Sequence, residues 1–183
     1  MKRQIRGFDR FVDTKFDLLR GRPVPDRIFY TASELGEFGL IWMILAALRA
    51  VRSRQGRGVA RRVVTGMAME SVLVNGFVKS IFRRRRPVWQ TEHPLPLRRP
   101  RTSSFPSGHA TSAFTGAILL SEDDPLWPVY FVIAPIVAFS RVYVKAHHAS
   151  DVVAGIAIGC GLGILGRRLL PLTPPEGGLG TEI

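Results

Sequence analysis

The sequence predicts an all-α protein, an integral-membrane helical bundle of about five transmembrane helices behind one amphipathic N-terminal helix. Three observations lead there. The chain is 46% hydrophobic yet carries 26 Lys and Arg against 14 Asp and Glu, a formal charge of +12 over 183 residues. It keeps the two apart, with apolar runs near the ~20 residues a membrane span requires and basic connections between them. Strand-type alternation is weak throughout, and no internal repeat is evident. A basic soluble protein that binds polyanions would scatter its cations through mixed sequence, so no nucleic acid is expected as a partner. A compact soluble helical protein is the competing fold, since mean hydropathy is only +0.12. The single cysteine, Cys160, excludes an intrachain disulfide or a zinc cluster as the basis of the fold.

Residues 1–20 place Ile5, Phe8, Phe11, Val12, Phe16 and Leu19 three or four apart among Lys, Arg and Asp. That is an amphipathic helix, either interfacial at a membrane or packed on the domain surface. No apolar run there is long enough for a signal peptide, so any insertion signal is expected further on. Residues 21–33, with Pro23 and Pro25, read as a link. The first apolar run is 35–51, touched only by Glu37 and Arg49, and the basic residues Arg52 to Arg62 follow as a connection. The second, 63–82, encloses Glu70, Asn75 and Lys79, polar groups that are costly in lipid and should face a polar interior. Residues 83–108 form an Arg- and Pro-rich connection. The third helix should start near Ser107 and end near Ser121. The fourth run is 126–144, with Pro135 inside it. The fifth is 151–170, where Gly155, Gly159 and Gly163 recur every four residues and permit close helix approach. The expected organisation is an N-terminal segment and link at 1–33, a transmembrane catalytic domain at 34–170 and a flexible tail at 171–183.

An up-and-down bundle of these helices brings Lys79, His109, Arg141, His147 and Asp151 to one end. A basic, histidine-containing pocket at one membrane face follows. Within it KSIFRRRRP supplies Lys79, Arg86 and Pro87; FPSGH supplies Pro106, Ser107, Gly108 and His109; SRVYVKAHHASD supplies Arg141, His147 and Asp151. Lys79, Arg86 and Arg141 could offer charge to a phosphoryl group. Ser107 and the Gly108 amide could add hydrogen bonds at a helix N-terminus. Either histidine could act as nucleophile or as proton carrier, since spacing does not separate the roles.

In order and spacing these three pieces resemble the signature of the type 2 phosphatidic acid phosphatase superfamily, over about residues 79–151. The resemblance implies a metal-independent phosphatase without cofactors, in which His147 is the nucleophile that forms a phosphohistidine. Asp151 would hold its other nitrogen, and His109 would protonate the leaving oxygen and later activate water. Arg83, Arg84 and Arg85 fall outside the signature and are expected to be solvated or to attract anions. Arg98, Arg99 and Arg101 are further candidates for steering an anionic substrate. Glu70, Asn75 and His148 are left without a catalytic part. The resemblance also implies a multi-pass enzyme of the cell membrane whose partners are the bilayer and a phosphorylated lipid. Polyprenyl phosphates or diphosphates stand ahead of phosphatidic acid and phosphatidylglycerol phosphate. The basic residues crowd the pocket side, which by charge bias alone would be cytoplasmic, whereas the resemblance favours an extracytoplasmic pocket. The non-enzymatic alternative is a membrane protein that binds or transports an anion or phospholipid with the same cations.

Overall fold

The computed structural model describes residues 2–87 and 102–172. Within them the chain is all-α: α1 (Lys2–Asp17), α2 (Pro23–Leu35), α3 (Leu40–Arg52), α4 (Arg54–Ser71), a π-helical stretch (Val72–Val78) leading into the single turn α5 (Lys79–Ile81), then α6 (Gly108–Leu120), α7 (Trp127–Tyr143) and α8 (Ala149–Leu169). The centre is α6. Its composition is apolar or small on every side, the pattern of a helix enclosed by neighbours, and ten of its residues from Ala110 to Leu120 are buried. It is packed by α8, α7, α4 and α3, while α2 and α1 lie across α7, and α1 also reaches α8. One core cluster joins Trp42, Val59, Val63, Met67, Leu119, Leu120, Tyr130 and Val137. A second joins Ala110, Val142 and Val152, with Val12 and Phe16 of α1 packed on it.

The backbones of α8 and α6 approach closely. A Cβ on Gly159 would lie 2.4 Å from the Thr111 carbonyl oxygen, and one on Gly155 would lie 2.6 Å from that of Ser107. The glycine repeat therefore sets how near the two backbones come.

Several boundaries differ from the expectation. Residues 21–33 are not a link: α2 occupies most of them, with Pro23 in the first turn, where its missing N–H costs nothing. The run 35–51 is interrupted at Glu37–Gly39, where Phe38 (φ 52°) and Gly39 (φ 68°) adopt left-handed backbone, so α3 begins at Leu40. The basic connection after it is helical. Only Ser53 separates α3 from α4, and its Oγ accepts the Gly56 N–H at 2.9 Å as an N-cap. The third, fourth and fifth runs become α6, α7 and α8 within two residues at each end.

Among the described residues, only α8 is both long and apolar enough to cross a membrane by itself, at 21 residues and mean hydropathy 1.7. Five such helices are not seen. The 13-residue α3 and α6 are short, and α4 carries Arg54, Arg57, Arg61, Arg62 and Glu70. Arg62 of α4 and Arg49 of α3 are placed inside the protein. Arg62 pairs with Glu122 at 2.8 Å, and Arg49 of α3 pairs with Asp124 at 3.1 Å, both beside the C-terminus of α6, where cations are favoured. The tail from 173 onward lies outside the described residues.

Candidate active site

The opposite end of α6 gathers the sequence-predicted residues. Ser107 is the N-cap of α6, fully buried, with its Oγ accepting the Ala110 N–H. The Gly108 and His109 amides, in the first turn, have no acceptor within the helix. They and the positive end of the helix dipole face the site. Beside Gly108 sits Lys79, whose Nζ donates to Asn75 Oδ1 at 2.7 Å. A Cβ on Gly108 would lie 3.1 Å from that Oδ1 and 3.3 Å from that Nζ, so glycine is what lets the ammonium approach the helix end.

From α7, Arg141 enters the protein 3% exposed and donates to Ser33 Oγ of α2. The chain then reverses tightly. The Arg141 carbonyl accepts both the Ala146 and the His147 N–H at 3.0 Å, and Lys145 takes left-handed backbone (φ 54°). That turn folds His147 back beside Arg141, with five residues between them in sequence but the two adjacent in space. Lys79, Arg86 and Arg141 lie close enough to repel one another, and the fields of Arg141, Lys79 and His147 all reach His109. His109 donates Nε2–H to the Ser33 carbonyl at 3.1 Å and lies 3.6 Å from Glu37 Oε2.

His147 is held by both ring nitrogens. Its Nδ1 is 2.6 Å from the Ser104 carbonyl oxygen, which can only accept, so Nδ1 carries the proton and Nε2 the lone pair. Arg86 Nη1 approaches Nε2 at 3.0 Å as the donor, and also donates to the Ala146 carbonyl at 2.7 Å. Burial, with Arg86 and Arg141 adding to it and Asp151 resisting, pushes the imidazole down to about 3. It is therefore neutral at physiological pH, the state a nucleophile needs. Burial likewise lowers the Arg86 guanidinium, which Asp151 partly offsets.

Asp151 was expected to hold His147 directly. Its Oδ2 stands 3.8 Å from Nδ1, too long for a hydrogen bond. The carboxylate is already occupied: Oδ1 accepts from Arg84 Nη1 at 2.5 Å, and Oδ2 accepts from Ser104 Oγ at 2.6 Å and from the His148 N–H at 3.0 Å. Ser104 is thus the link, with its carbonyl on His147 and its hydroxyl on Asp151.

Four residues of the site region were missed from sequence or misread. Ser104 and Ser33 carry no periodic or spacing signal. Arg84, expected to be solvated, is bound to Asp151, Ser150 and Asp9. Asp9, on the amphipathic helix, is only 8% exposed. Arg86 does sit where the spacing puts it. His148 caps α8 and points to the Arg85 carbonyl. Glu70 is buried in α4. Arg98, Arg99 and Arg101 lie outside the described residues. Among the described residues, no cluster of three or more His, Cys, Asp or Glu is arranged to hold a metal ion.

The chain is similar to several known proteins. The PAP2 superfamily model matches residues 60–172. The chain is 34% identical over 137 residues to decaprenylphosphoryl-5-phosphoribose phosphatase of Mycobacterium tuberculosis, covering 73% of each. It is 30% identical over 133 residues to undecaprenyl-diphosphatase of Sulfolobus acidocaldarius, covering 70% of this chain and 63% of that one. Among solved structures, a transmembrane PAP2 type phosphatidylglycerolphosphate phosphatase from Bacillus subtilis superposes with a TM-score of 0.65 at 24% identity, over 91% of this chain and 86% of the other, a likeness of fold. Aquifex aeolicus LpxE superposes with a TM-score of 0.63 at 28% identity, over 85% and 93%.

Proposed function

The chain belongs to the PAP2 superfamily and is a membrane-associated lipid phosphatase of that family; we propose that it hydrolyses a polyprenyl phosphomonoester or diphosphate, with no metal, through a phosphohistidine on His147. The observation that carries the mechanism is the state of His147: neutral, with Nδ1–H donated to Ser104 and the Nε2 lone pair turned towards Arg86. A phosphoryl group entering between that lone pair and the α6 N-terminus would take over the Arg86 Nη1 donor. Lys79, Arg86, Arg141, Ser107 and the Gly108 amide then hold its equatorial oxygens.

Attack by Nε2 on phosphorus forms the N–P bond as the P–O bond to the lipid breaks; His109, made imidazolium by the negative charge of the bound phosphate and keeping Nε2–H on the Ser33 carbonyl, gives its Nδ1 proton to the departing oxygen. The His147 imidazolium so formed keeps Nδ1–H on the Ser104 carbonyl, with the Asp151 charge 3.8 Å away. His109 then takes a proton from water, which attacks phosphorus, releases phosphate and restores neutral His147.

The choice of a prenyl-linked substrate draws support from the two curated relatives, one named for decaprenylphosphoryl-5-phosphoribose and the other for undecaprenyl diphosphate. Phosphatidic acid or phosphatidylglycerol phosphate is the alternative lipid. A multi-pass placement of residues 34–170 draws support from apolar side chains that face outward on four helices: Ile44 and Leu48 of α3, Val64 of α4, Val132 of α7, and Ile164 and Leu165 of α8. We place the pocket on the extracytoplasmic face. In a Cys160→Ser background, a cysteine introduced within 88–100 should be labelled from that face of sealed membranes; labelling from the cytoplasm alone rejects the placement.

The decisive test is phosphate release by purified protein from decaprenyl monophosphate, decaprenyl diphosphate, phosphatidic acid and phosphatidylglycerol phosphate. Turnover that His147→Ala abolishes while lipid binding survives is the expected result. Binding with no turnover of any of the four would favour the non-enzymatic binding or transport protein.

A further inference from the structure

The mechanism leaves α1 without a part, yet α1 is tied to the site by its most buried charge. Asp9 Oδ2 accepts from Arg84 Nη2 at 2.6 Å, and Asp9 Oδ1 accepts the Ser150 N–H at 2.8 Å, capping the first turn of α8 from another helix. Arg84 has its other terminal nitrogen on Asp151 Oδ1 at 2.5 Å and on Ser150 Oγ at 2.7 Å. Its backbone is engaged as well: the N–H donates to Ser103 Oγ at 3.1 Å, and the carbonyl accepts the Ser104 N–H at 3.0 Å. One residue thereby grips both the carboxylate of Asp151 and the segment whose Ser104 carbonyl orients His147.

We infer that Arg84, itself held by Asp9 of α1, is a positioning residue for Asp151 and through it for His147, so that seating of the N-terminal helix is a condition for turnover. The inference rests on the phosphatase reading above. A planar guanidinium can bridge two carboxylates with separate nitrogens, whereas an ammonium is a single point on a flexible stem. Asp151 is fully buried, and a buried carboxylate that loses a donor is left under-compensated.

Arg84 also shares the charge of Asp151. The charged and titratable groups around His147 are Arg86 from residues 82–87, Arg141 from α7, Asp151 from α8 and His109 from α6. Asp151 is the anion among those four. Without Arg84 its charge bears on His147 undiminished, so the imidazole holds a proton more tightly and less of it is neutral at acid pH.

The experiment uses the full chain in detergent with decaprenyl monophosphate, comparing Arg84→Ala, Arg84→Lys and Asp9→Asn with wild type. Arg84→Ala should lower kcat roughly 10- to 100-fold, as loss of an outer partner of a reactive group does, with KM changed less than about threefold because no substrate contact is removed. The acid limb of kcat/KM should move to higher pH. Arg84→Lys should fail to restore kcat, and Asp9→Asn should give a smaller loss in the same direction.

In parallel, 15N-histidine NMR, with the His147 signal assigned by His147→Ala, should show the His147 titration displaced to higher pH in Arg84→Ala. That readout needs no turnover. If wild type released no phosphate from any lipid phosphate, the functional reading would fall while the NMR titration still judged Arg84. A folded Arg84→Ala with kcat within twofold of wild type, or with an unmoved acid limb and His147 titration, overturns the inference. Should Arg84→Ala not fold, the same outcomes in Arg84→Lys and Asp9→Asn decide it.

Discussion

Ser104→Ala isolates one bond of the site. The Oγ donates to Asp151 Oδ2 at 2.6 Å in a fully buried setting, while the Ser104 carbonyl, which orients His147, belongs to the backbone and survives the substitution. A hydrogen bond to a charged group contributes about 1.5–3 kcal/mol. The carboxylate keeps its Arg84 and His148 donors, so it stays ionised but free to rotate away from the His147 edge. Since about 1.4 kcal/mol is tenfold in rate, kcat should fall roughly 10- to 100-fold if most of that energy is expressed as the imidazolium forms. KM should be nearly unchanged. Phosphate release against substrate concentration gives both constants, and a thermal melt of the same sample reports how much of the energy went to stability. A Ser104→Ala protein that melts several degrees lower yet retains wild-type kcat would show that the Ser104–Asp151 bond holds the fold and not the nucleophile.

Three further outcomes follow from the geometry. Gly159→Ala puts a Cβ 2.4 Å from the Thr111 carbonyl oxygen and should cost about 1–3 kcal/mol, whereas Gly161→Ala on the same helix meets nothing within 4 Å and should stabilise by about 0.5–1 kcal/mol; paired melts separate the two. The folded chain keeps His147 neutral down to about 3, while an unfolded histidine protonates near ~6.5. The unfolded state therefore binds the extra proton between those values, stability is lost as pH falls through that window, and the Tm of His147→Gln should decline less than that of wild type from pH 6.5 to 4. Arg49→Ala removes the cation that pairs with the half-buried Asp124 at the far end of α6 and leaves that carboxylate only its Tyr130 hydroxyl and Leu126 N–H donors. It should destabilise by about 1.5–3 kcal/mol while the folded fraction keeps its kcat, which a melt and an active-fraction-corrected rate would check.

The sequence made several parts of the site legible because they recur at fixed separations. Lys79 and Arg86, Ser107 to His109, and Arg141, His147 and Asp151 are each spaced so that a helix end or a single turn presents them together. Ser33, Ser104, Arg84 and Asp9 had no such signature. Ser33 and Ser104 work partly through their carbonyls, which every residue possesses. Arg84 sits in a run of four arginines whose members are alike until the backbone direction is known. Asp9 occupies a helix whose amphipathic pattern suits a membrane surface and a packed surface equally. Val12 and Phe16 pack into the core while Phe8 and Phe11 stay exposed, so α1 keeps some of each character.

By itself the sequence determined that the chain is helical, that its excess of positive charge is concentrated between apolar runs, and that its phosphate-binding residue types fall at helix ends. Periodicity and composition suffice for that, since they report local propensity and burial one segment at a time. Tertiary structure alone decided that residues 23–35 form a helix whose Ser33 serves the site. It also decided that Arg86 faces His147 while Arg84, two residues earlier, faces Asp151. Finally, it put a serine carbonyl where a carboxylate was expected. Those outcomes depend on where chain segments cross, and a crossing is set by packing of α8 and α7 on α6, which no single segment encodes.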